Sequence, residues 1–168
     1  MTTAPLTFDP IEEAARQWRA RGWGDAADGM AAVTSVMRVQ AIMLARAEAV
    51  LRPLGLSFAR YELLTLLSFT RRGTLPMAQA GTLLQVHPTS ITNAVQRLEK
   101  AGLVSREPYP GDGRAVLIQI TEQGRRLAAE ATKHINADLF TQLGLPDHLL
   151  RTLFSVLRDL RREAGDFS

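Results

Sequence analysis

The sequence predicts a mainly α-helical chain with one small β-hairpin. Through most of its 168 residues, apolar side chains recur at steps of three and four, which places them on one face of a helix. Two short segments, 103–107 and 115–120, alternate instead and are rich in β-branched residues, as strands are. The chain is 46% apolar and 22% charged, a balance typical of a protein that buries a hydrophobic core.

Net charge and cysteine content narrow the classes of function. The formal net charge of +3 comes from residues 60–126, which hold nine basic and five acidic side chains. Eighteen of the 20 basic residues are arginine, whose planar guanidinium suits phosphates and guanine edges, although a general preference for arginine over lysine explains this ratio equally well. Cysteine is absent, which excludes disulfides, thiol nucleophiles and thiolate metal sites. The basic middle of the chain is the better indication of an acidic partner.

We expect neither a targeting segment nor a membrane span. The first fifteen residues lack the basic and apolar segments of a secretory signal. Arg38 and Arg46 interrupt the longest helical pattern near the N-terminus, and no run of about eighteen uninterrupted apolar residues occurs. These features predict a cytoplasmic protein.

Two helices are predicted in the first third of the chain. Residues 9–21 favour a short helix with Asp9 as its cap and Pro10 at its first position. From about 25 to 52, apolar residues keep helical spacing over several turns, until Pro53 stops the helix. The second helix is therefore long and amphipathic.

The middle of the chain predicts two short helices joined by a tight turn and followed at once by the hairpin. We expect the first of these to span about 74–84, with Pro76 in its first turn. The second starts at His87-Pro88, and Gly102 ends it. This order matches the winged helix-turn-helix, in which the second helix enters the major groove of DNA.

The second of these helices has one apolar face and one face of short donors and acceptors. Asn93 and Gln96 can bond bidentately to adenine, and Arg97 can bond to guanine. An ordinary solvated helix face has the same composition, so this helix alone does not decide the function. The candidate DNA contacts on it are His87, Thr89, Ser90, Thr92, Asn93, Gln96, Arg97 and Lys100.

A projecting wing is predicted between the two strands. The connecting segment, 108–114, is rich in Pro, Gly and Asp and is longer than a tight hairpin needs. We expect Arg106, on the first strand, to contact a phosphate or to pair with a nearby acid. The candidate wing residues are Arg106, Asp112, Gly113 and Arg114.

The segment from Leu83 to Thr121 contains RLEKAGLVSR followed by DGRAVLIQIT. This segment closely resembles the MarR family of bacterial regulators, whose wing has an Asp, any residue and an Arg, then a strand that ends in Leu-Thr. Asp112 and Arg114 match that pattern, and Ile120 stands in place of the Leu. The similarity is strong across about 60–140.

The resemblance implies roles for the wing. In that family the wing Arg inserts into the minor groove and the Asp holds its guanidinium, which assigns these roles to Arg114 and Asp112. A narrow minor groove concentrates negative potential and favours an inserted Arg, in agreement with that assignment. For Asp112 and Gly113, a plain hairpin turn remains an alternative.

A homodimer is expected from both the pattern and the resemblance. The helices near the two termini have more apolar surface than a small winged module covers, and MarR-like proteins dimerise through such helices. We divide the chain into an N-terminal extension (1–24), a dimerisation helix (25–56), the winged helix-turn-helix (57–121) and C-terminal dimerisation helices (122–168). The candidate interface residues are Leu149, Leu153, Leu157 and Leu160.

The resemblance also implies a small aromatic or phenolic effector, bound between the dimerisation helices and the DNA-binding lobe. A few urate-responsive regulators of this kind have a Trp near the ligand on an additional N-terminal helix. For any one residue near such a cleft, core packing or solvent exposure is a more common role than ligand contact. The candidate ligand residues are Trp18, Met37, Arg38, Tyr61 and Leu64.

Three other functions were weighed. The chain has three histidines but no phosphate loop, nucleophile elbow or paired carboxylates, so we expect no enzyme, metal or cofactor. A sequence-independent architectural DNA-binding protein is the stronger alternative. An interaction module that has lost DNA binding is disfavoured by the intact Asp112 and Arg114. The sequence thus predicts a DNA-binding transcription regulator of the repressor type.

Overall fold

The structure, a computed structural model, describes the backbone of residues 6–109 and 112–168, and within those ranges every side chain except those of 112–114. Helix α1 spans Pro10–Ala20. The carboxylate of Asp9 caps it by accepting a hydrogen bond from the backbone N–H of Ile11 at 2.8 Å. The predicted cap and first turn of this helix are therefore confirmed.

Helix α2 spans Gly24–Leu51 and continues into a 3-10 turn, Arg52–Leu54. Only its last turns enter the core, where Ala47 and Leu51 are buried. Most of the remaining apolar stripe is exposed, because α2 extends well beyond the elements that pack on its C-terminal end.

Helix α3 spans Phe58–Phe69, and its first turn is capped by Ser57, whose hydroxyl accepts from a backbone N–H. The prediction of one helix over 74–84 is wrong in its first turn. Thr74–Pro76 form a short strand, β1, and helix α4 spans only Met77–Leu83. The prediction failed because β1 is stabilised by pairing with a strand about forty residues further along the chain, and the local sequence pattern does not reveal that pairing.

Helix α5 spans Pro88–Lys100, and strands β2 (Val104–Tyr109) and β3 (Asp112–Ile120) follow it. The three strands form an antiparallel sheet in the order β1-β3-β2. The predicted hairpin is thus confirmed as two strands of a three-stranded sheet. The prediction that 108–114 form a long connection is wrong at both ends of that segment, because β2 continues to Tyr109 and β3 begins at Asp112, where the two strands still pair. Pro76, at the end of β1, lies on an edge strand, where a missing N–H is tolerated.

Helix α6 spans Glu122–Ile135 and ends in a π-helical turn, Asn136–Phe140. The Thr121 hydroxyl caps α6 by accepting from the N–H of Gly124 at 3.0 Å. Helix α7 spans Asp147–Glu163.

One hydrophobic core joins α3, α5, the sheet and α6 to the C-terminal end of α2. A typical core side chain contributes about 1.5–3 kcal/mol when it is fully buried, so this cluster is the main source of stability. The largest fully buried side chains are Leu51, Leu63, Leu64, Leu67, Val95, Leu98, Ile118 and Ile135.

Two apolar surfaces remain uncovered in the single chain. No residue of α7, all of which the structure describes, is buried, and Phe154 is 61% exposed. On α2, Val33 and Met37 are 61% and 68% exposed. The segment Gly24–Leu54 also has the length and mean hydropathy, 1.2, of a membrane-crossing helix, contrary to our expectation from Arg38. Exposed apolar surfaces of this kind are typical of sites that contact another molecule.

Candidate nucleic-acid interface

Helix α5 is fixed in place by its apolar face. Ile91, Val95 and Leu98 are buried, so the helix cannot rotate without exposing them. Its N-terminus is capped by His87, whose Nδ1 accepts a hydrogen bond from the N–H of Thr89 at 3.2 Å. Because Nδ1 is the acceptor, the neutral ring keeps its proton on Nε2, which leaves one donor for an outside partner.

All eight predicted contact residues of this helix are exposed. The positions from 89 to 100 recur at steps of three and four, so they form a polar face opposite the buried one. The Thr92 hydroxyl donates to the Pro88 carbonyl at 2.8 Å, which turns its methyl outward for an apolar contact. This arrangement fits a helix that enters the major groove, and the contact of each residue with DNA stays a prediction.

One basic residue beside this face was missed by the sequence analysis. Arg60, near the start of α3, lines a shallow cleft together with Asn93 and Arg97 of α5. Its Nε donates to the Ser57 hydroxyl at 3.1 Å, which orients the guanidinium beside the recognition helix. Its position beside the recognition helix depends on how α3 packs on α5, which sequence periodicity alone does not reveal.

The base of the wing is tied to the recognition helix by an ion pair. Arg106 of β2 pairs with Glu99 of α5 at 2.5 Å, and Glu99 raises the pKa of Arg106 above its ordinary value through a hydrogen bond and its charge. Of the two roles expected for Arg106, the free protein adopts the pairing with an acid. The predicted DNA contacts of Asp112, Gly113 and Arg114 involve side chains that lie outside the described part of the structure.

We expect Glu99→Gln to steepen the salt dependence of DNA binding by about one unit of slope, because Arg106 then becomes free to neutralise one phosphate. The pair is partly exposed and screened by solvent, so the melting temperature of the variant should stay close to that of the wild type. Glu122→Gln is the matched control, since it removes an acid from the exposed pair with Arg126 on α6. An unchanged slope in Glu99→Gln would place Arg106 out of reach of DNA.

The structure separates the five predicted ligand residues. Tyr61 and Leu64 lie in the core, where the Tyr61 hydroxyl is 3.2 Å from that of Thr132. Met37 and Arg38 are exposed on α2. The separation arises because helical spacing places residues on faces, whereas the packing of several helices decides which faces enclose a space. Trp18 is half-buried on α1 and packs edge-on against Trp23, at 5.4 Å between ring centres.

An apolar cavity of about 340 Å³ lies where α2, α3 and the π-helical turn meet. None of the five predicted ligand residues lines it. In the described part of the chain, no cluster of three or more His, Asp or Glu side chains could hold a metal ion. The cavity is lined by Gln40, Met43, Leu44, Ala47, Phe58, Leu139, Phe140 and Leu143.

A winged helix-turn-helix whose recognition helix presents a polar face to solvent is typical of DNA-binding transcription regulators. The model of the MarR family matches residues 54–115. The structure is similar to Sco5413, a MarR family transcriptional regulator from Streptomyces coelicolor, with 45% identity, a TM-score of 0.77 and coverage of 84% of this chain and 98% of that one. The chain belongs to the MarR family of transcriptional regulators.

Two further relatives are a repressor and a regulator whose structure contains a bound ligand. The HTH-type transcriptional repressor Rv2887 of Mycobacterium tuberculosis is 31% identical over 100 residues, which are 60% of this chain and 70% of that protein. The structure of CouR from Rhodococcus jostii RHA1 bound to p-coumaroyl-CoA is 27% identical, with a TM-score of 0.64 and coverage of 74% of this chain and 87% of that one. The resemblance stated from the wing motif is confirmed at the level of the family.

Proposed function

We propose that the chain is a transcriptional repressor that binds a palindromic operator as a homodimer and is released by a small aromatic ligand. The observation that supports DNA binding best is the exposed polar face of α5, held rigidly by a buried apolar face. The similarity to Rv2887, a transcriptional repressor, supports repression as the mode of control. An architectural DNA-binding protein would bind every duplex alike, so the ratio of operator to random affinity separates the two functions.

Dimerisation rests on the uncovered apolar surfaces of α2 and α7. A second copy of the chain would cover both surfaces. This explains why a chain whose relatives regulate transcription has a long helix with an exposed apolar stripe. We assign 25–56 and 122–168 to the interface and 57–121 to DNA binding, with 1–24 as an N-terminal extension whose helix α1 packs on α2. The length and hydropathy of α2 also allow it to associate with a membrane. Size-exclusion chromatography of the purified chain, with and without phosphatidylcholine vesicles, separates the two possibilities. Association with the vesicles, in place of a dimer, would contradict this assignment.

The effector site is the cavity between α2, α3 and the π-helical turn. All of its lining residues except Gln40 are apolar, so an apolar or aromatic group suits it. CouR, with p-coumaroyl-CoA bound, supports an aromatic ligand by analogy. Because α6 begins at the end of β3 and leads into the π-helical turn, a ligand that displaces Leu139 can also shift the wing.

The effector assignment is tested by titrating salicylate or urate into the operator complex. Ligand should lower operator affinity in the wild-type protein. Leu143→Trp should obstruct the cavity and abolish that response, with operator binding itself retained. A response of equal size in Leu143→Trp would place the effector elsewhere.

The wing assignment predicts a large loss of operator affinity for Arg114→Ala. Removing an Arg from the minor groove should cost about 1–3 kcal/mol, a loss of about 5- to 150-fold, with the dimer intact. Fluorescence anisotropy gives the affinity, and size-exclusion chromatography checks the dimer. Arg16→Ala on α1 is the control with the same loss of charge outside the winged module. Unchanged affinity would contradict the role of the wing.

A further inference from the structure

The turn between α4 and α5 contains a strained residue, Gln85. Its φ is +52°, in the left-handed region that favours glycine. Gln85 is the one non-glycine residue with positive φ in the part of the chain that the structure describes. The other left-handed positions there are all glycine, namely Gly22, Gly55, Gly73, Gly102, Gly144 and Gly165.

The hydrogen bonds of this turn show why the left-handed residue is required. The N–H of Gln85 donates to the Thr82 carbonyl at 3.2 Å, and the N–H of Val86 donates to the Gly81 carbonyl at 3.1 Å. This pair of bonds is the Schellman ending of a helix, whose left-handed position is usually glycine. A glycine at position 85 would satisfy the backbone with less strain, so the presence of Gln there motivates a role for its side chain.

The Gln85 side chain lies beside the recognition helix. It is exposed and lines an open cleft of about 600 Å³ between α4 and α5, together with Pro88 and Thr92. The hydroxyls of Thr82 and Thr92, both in this cleft, already donate to carbonyls of their own helices, at 3.1 Å and 2.8 Å. Among the described residues, none accepts a hydrogen bond from the Gln85 amide, which is therefore available as a donor in the cleft.

We propose that Gln85 donates a hydrogen bond to a DNA phosphate and positions the strand that passes beside the recognition helix. Pro88 and Thr92 are exposed on α5, so the cleft opens next to the face that enters the major groove. Gln side chains are regular donors to phosphate oxygens, and such contacts set the register of a protein on the duplex. This inference rests on the proposed DNA-binding function.

Two variants separate the amide from the strain. Gln85→Gly removes both, so its melting temperature should rise by about 2–4 °C while its DNA affinity falls about 3- to 10-fold. Gln85→Glu keeps the size and the strained backbone but puts a carboxylate next to the phosphate, so its affinity should fall further. Gln17→Glu makes the same charge change on α1 and should bind DNA like the wild type.

Affinity is measured by fluorescence anisotropy on operator and on random duplex. A phosphate contact is independent of sequence, so both variants should lose affinity by similar factors on the two duplexes. The salt slope of Gln85→Gly should equal that of the wild type, because a neutral donor releases no counterion.

Several results would overturn the proposal. A loss confined to the operator would mean a base contact, and a loss in Gln85→Gly but not in Gln85→Glu would mean that turn stiffness is what matters. If both variants bind like the wild type while Arg114→Ala is weakened, the phosphate contact is wrong and the proposed function stands. Absence of DNA binding by the wild type would overturn both.

Discussion

Replacing Leu153 and Leu157 with glutamate should yield a monomer that binds operator DNA at least about a hundredfold more weakly than the wild type. Both leucines lie on the apolar stripe of α7, where Leu153 is 43% exposed in the single chain. Two carboxylates cannot be buried unpaired in an apolar interface, so the dimer should dissociate. In a monomer, the two winged modules no longer bind the two half-sites as one unit. This loss alone can lower the affinity by a factor of about 10²–10⁴.

Size-exclusion chromatography with light scattering measures the mass, and anisotropy measures the affinity. The control is Arg151→Gln with Arg158→Gln, which makes the same change of net charge on the opposite, polar face of α7. This control should remain a dimer. If the leucine variant also remains dimeric, the interface has been assigned to the wrong surface.

Gly124→Ala should destabilise the folded protein by about 3 kcal/mol or more. A Cβ at this position would lie 2.2 Å from the Leu103 carbonyl oxygen and 2.9 Å from Cγ1 of Ile120. The first clash is with backbone, and the N–H of Thr121 already donates to that carbonyl at 3.0 Å, so α6 cannot move away without breaking the base of the wing.

Urea or thermal unfolding measures this loss. Gly29→Ala is the matched control, because a Cβ at that position of α2 meets nothing within 4 Å. The control should gain up to about 1 kcal/mol from the better helix propensity of alanine. Equal stability of Gly124→Ala and the wild type would contradict the close packing of α6 on the wing.

The helices were predicted well where a local signal marks their ends. Asp9 and His87 each cap a helix with a side-chain acceptor, and the order of residues around them specifies that geometry without help from the rest of the fold. The polar face of α5 follows in the same way from spacing within a single helix. The recognition helix could therefore be placed from the sequence.

Features that depend on distant contacts could not be predicted. Strand β1 exists because Leu75 pairs with Ile118, and the buried position of Leu64 depends on elements packed from several sides. The long stripe of α2 was predicted correctly as apolar, but spacing does not tell which turns enter the core of the same chain. Gln85 was missed because a left-handed backbone in a non-glycine residue has no signal in the sequence.

The most direct test of the central claim is fluorescence anisotropy of the purified protein on the DNA that flanks its own gene, against random duplex and across a series of salt concentrations. A sequence-specific dimeric regulator should bind one palindrome at least about a thousandfold more tightly than random DNA. Equal, salt-sensitive binding to every duplex would contradict this account and indicate an architectural DNA-binding protein.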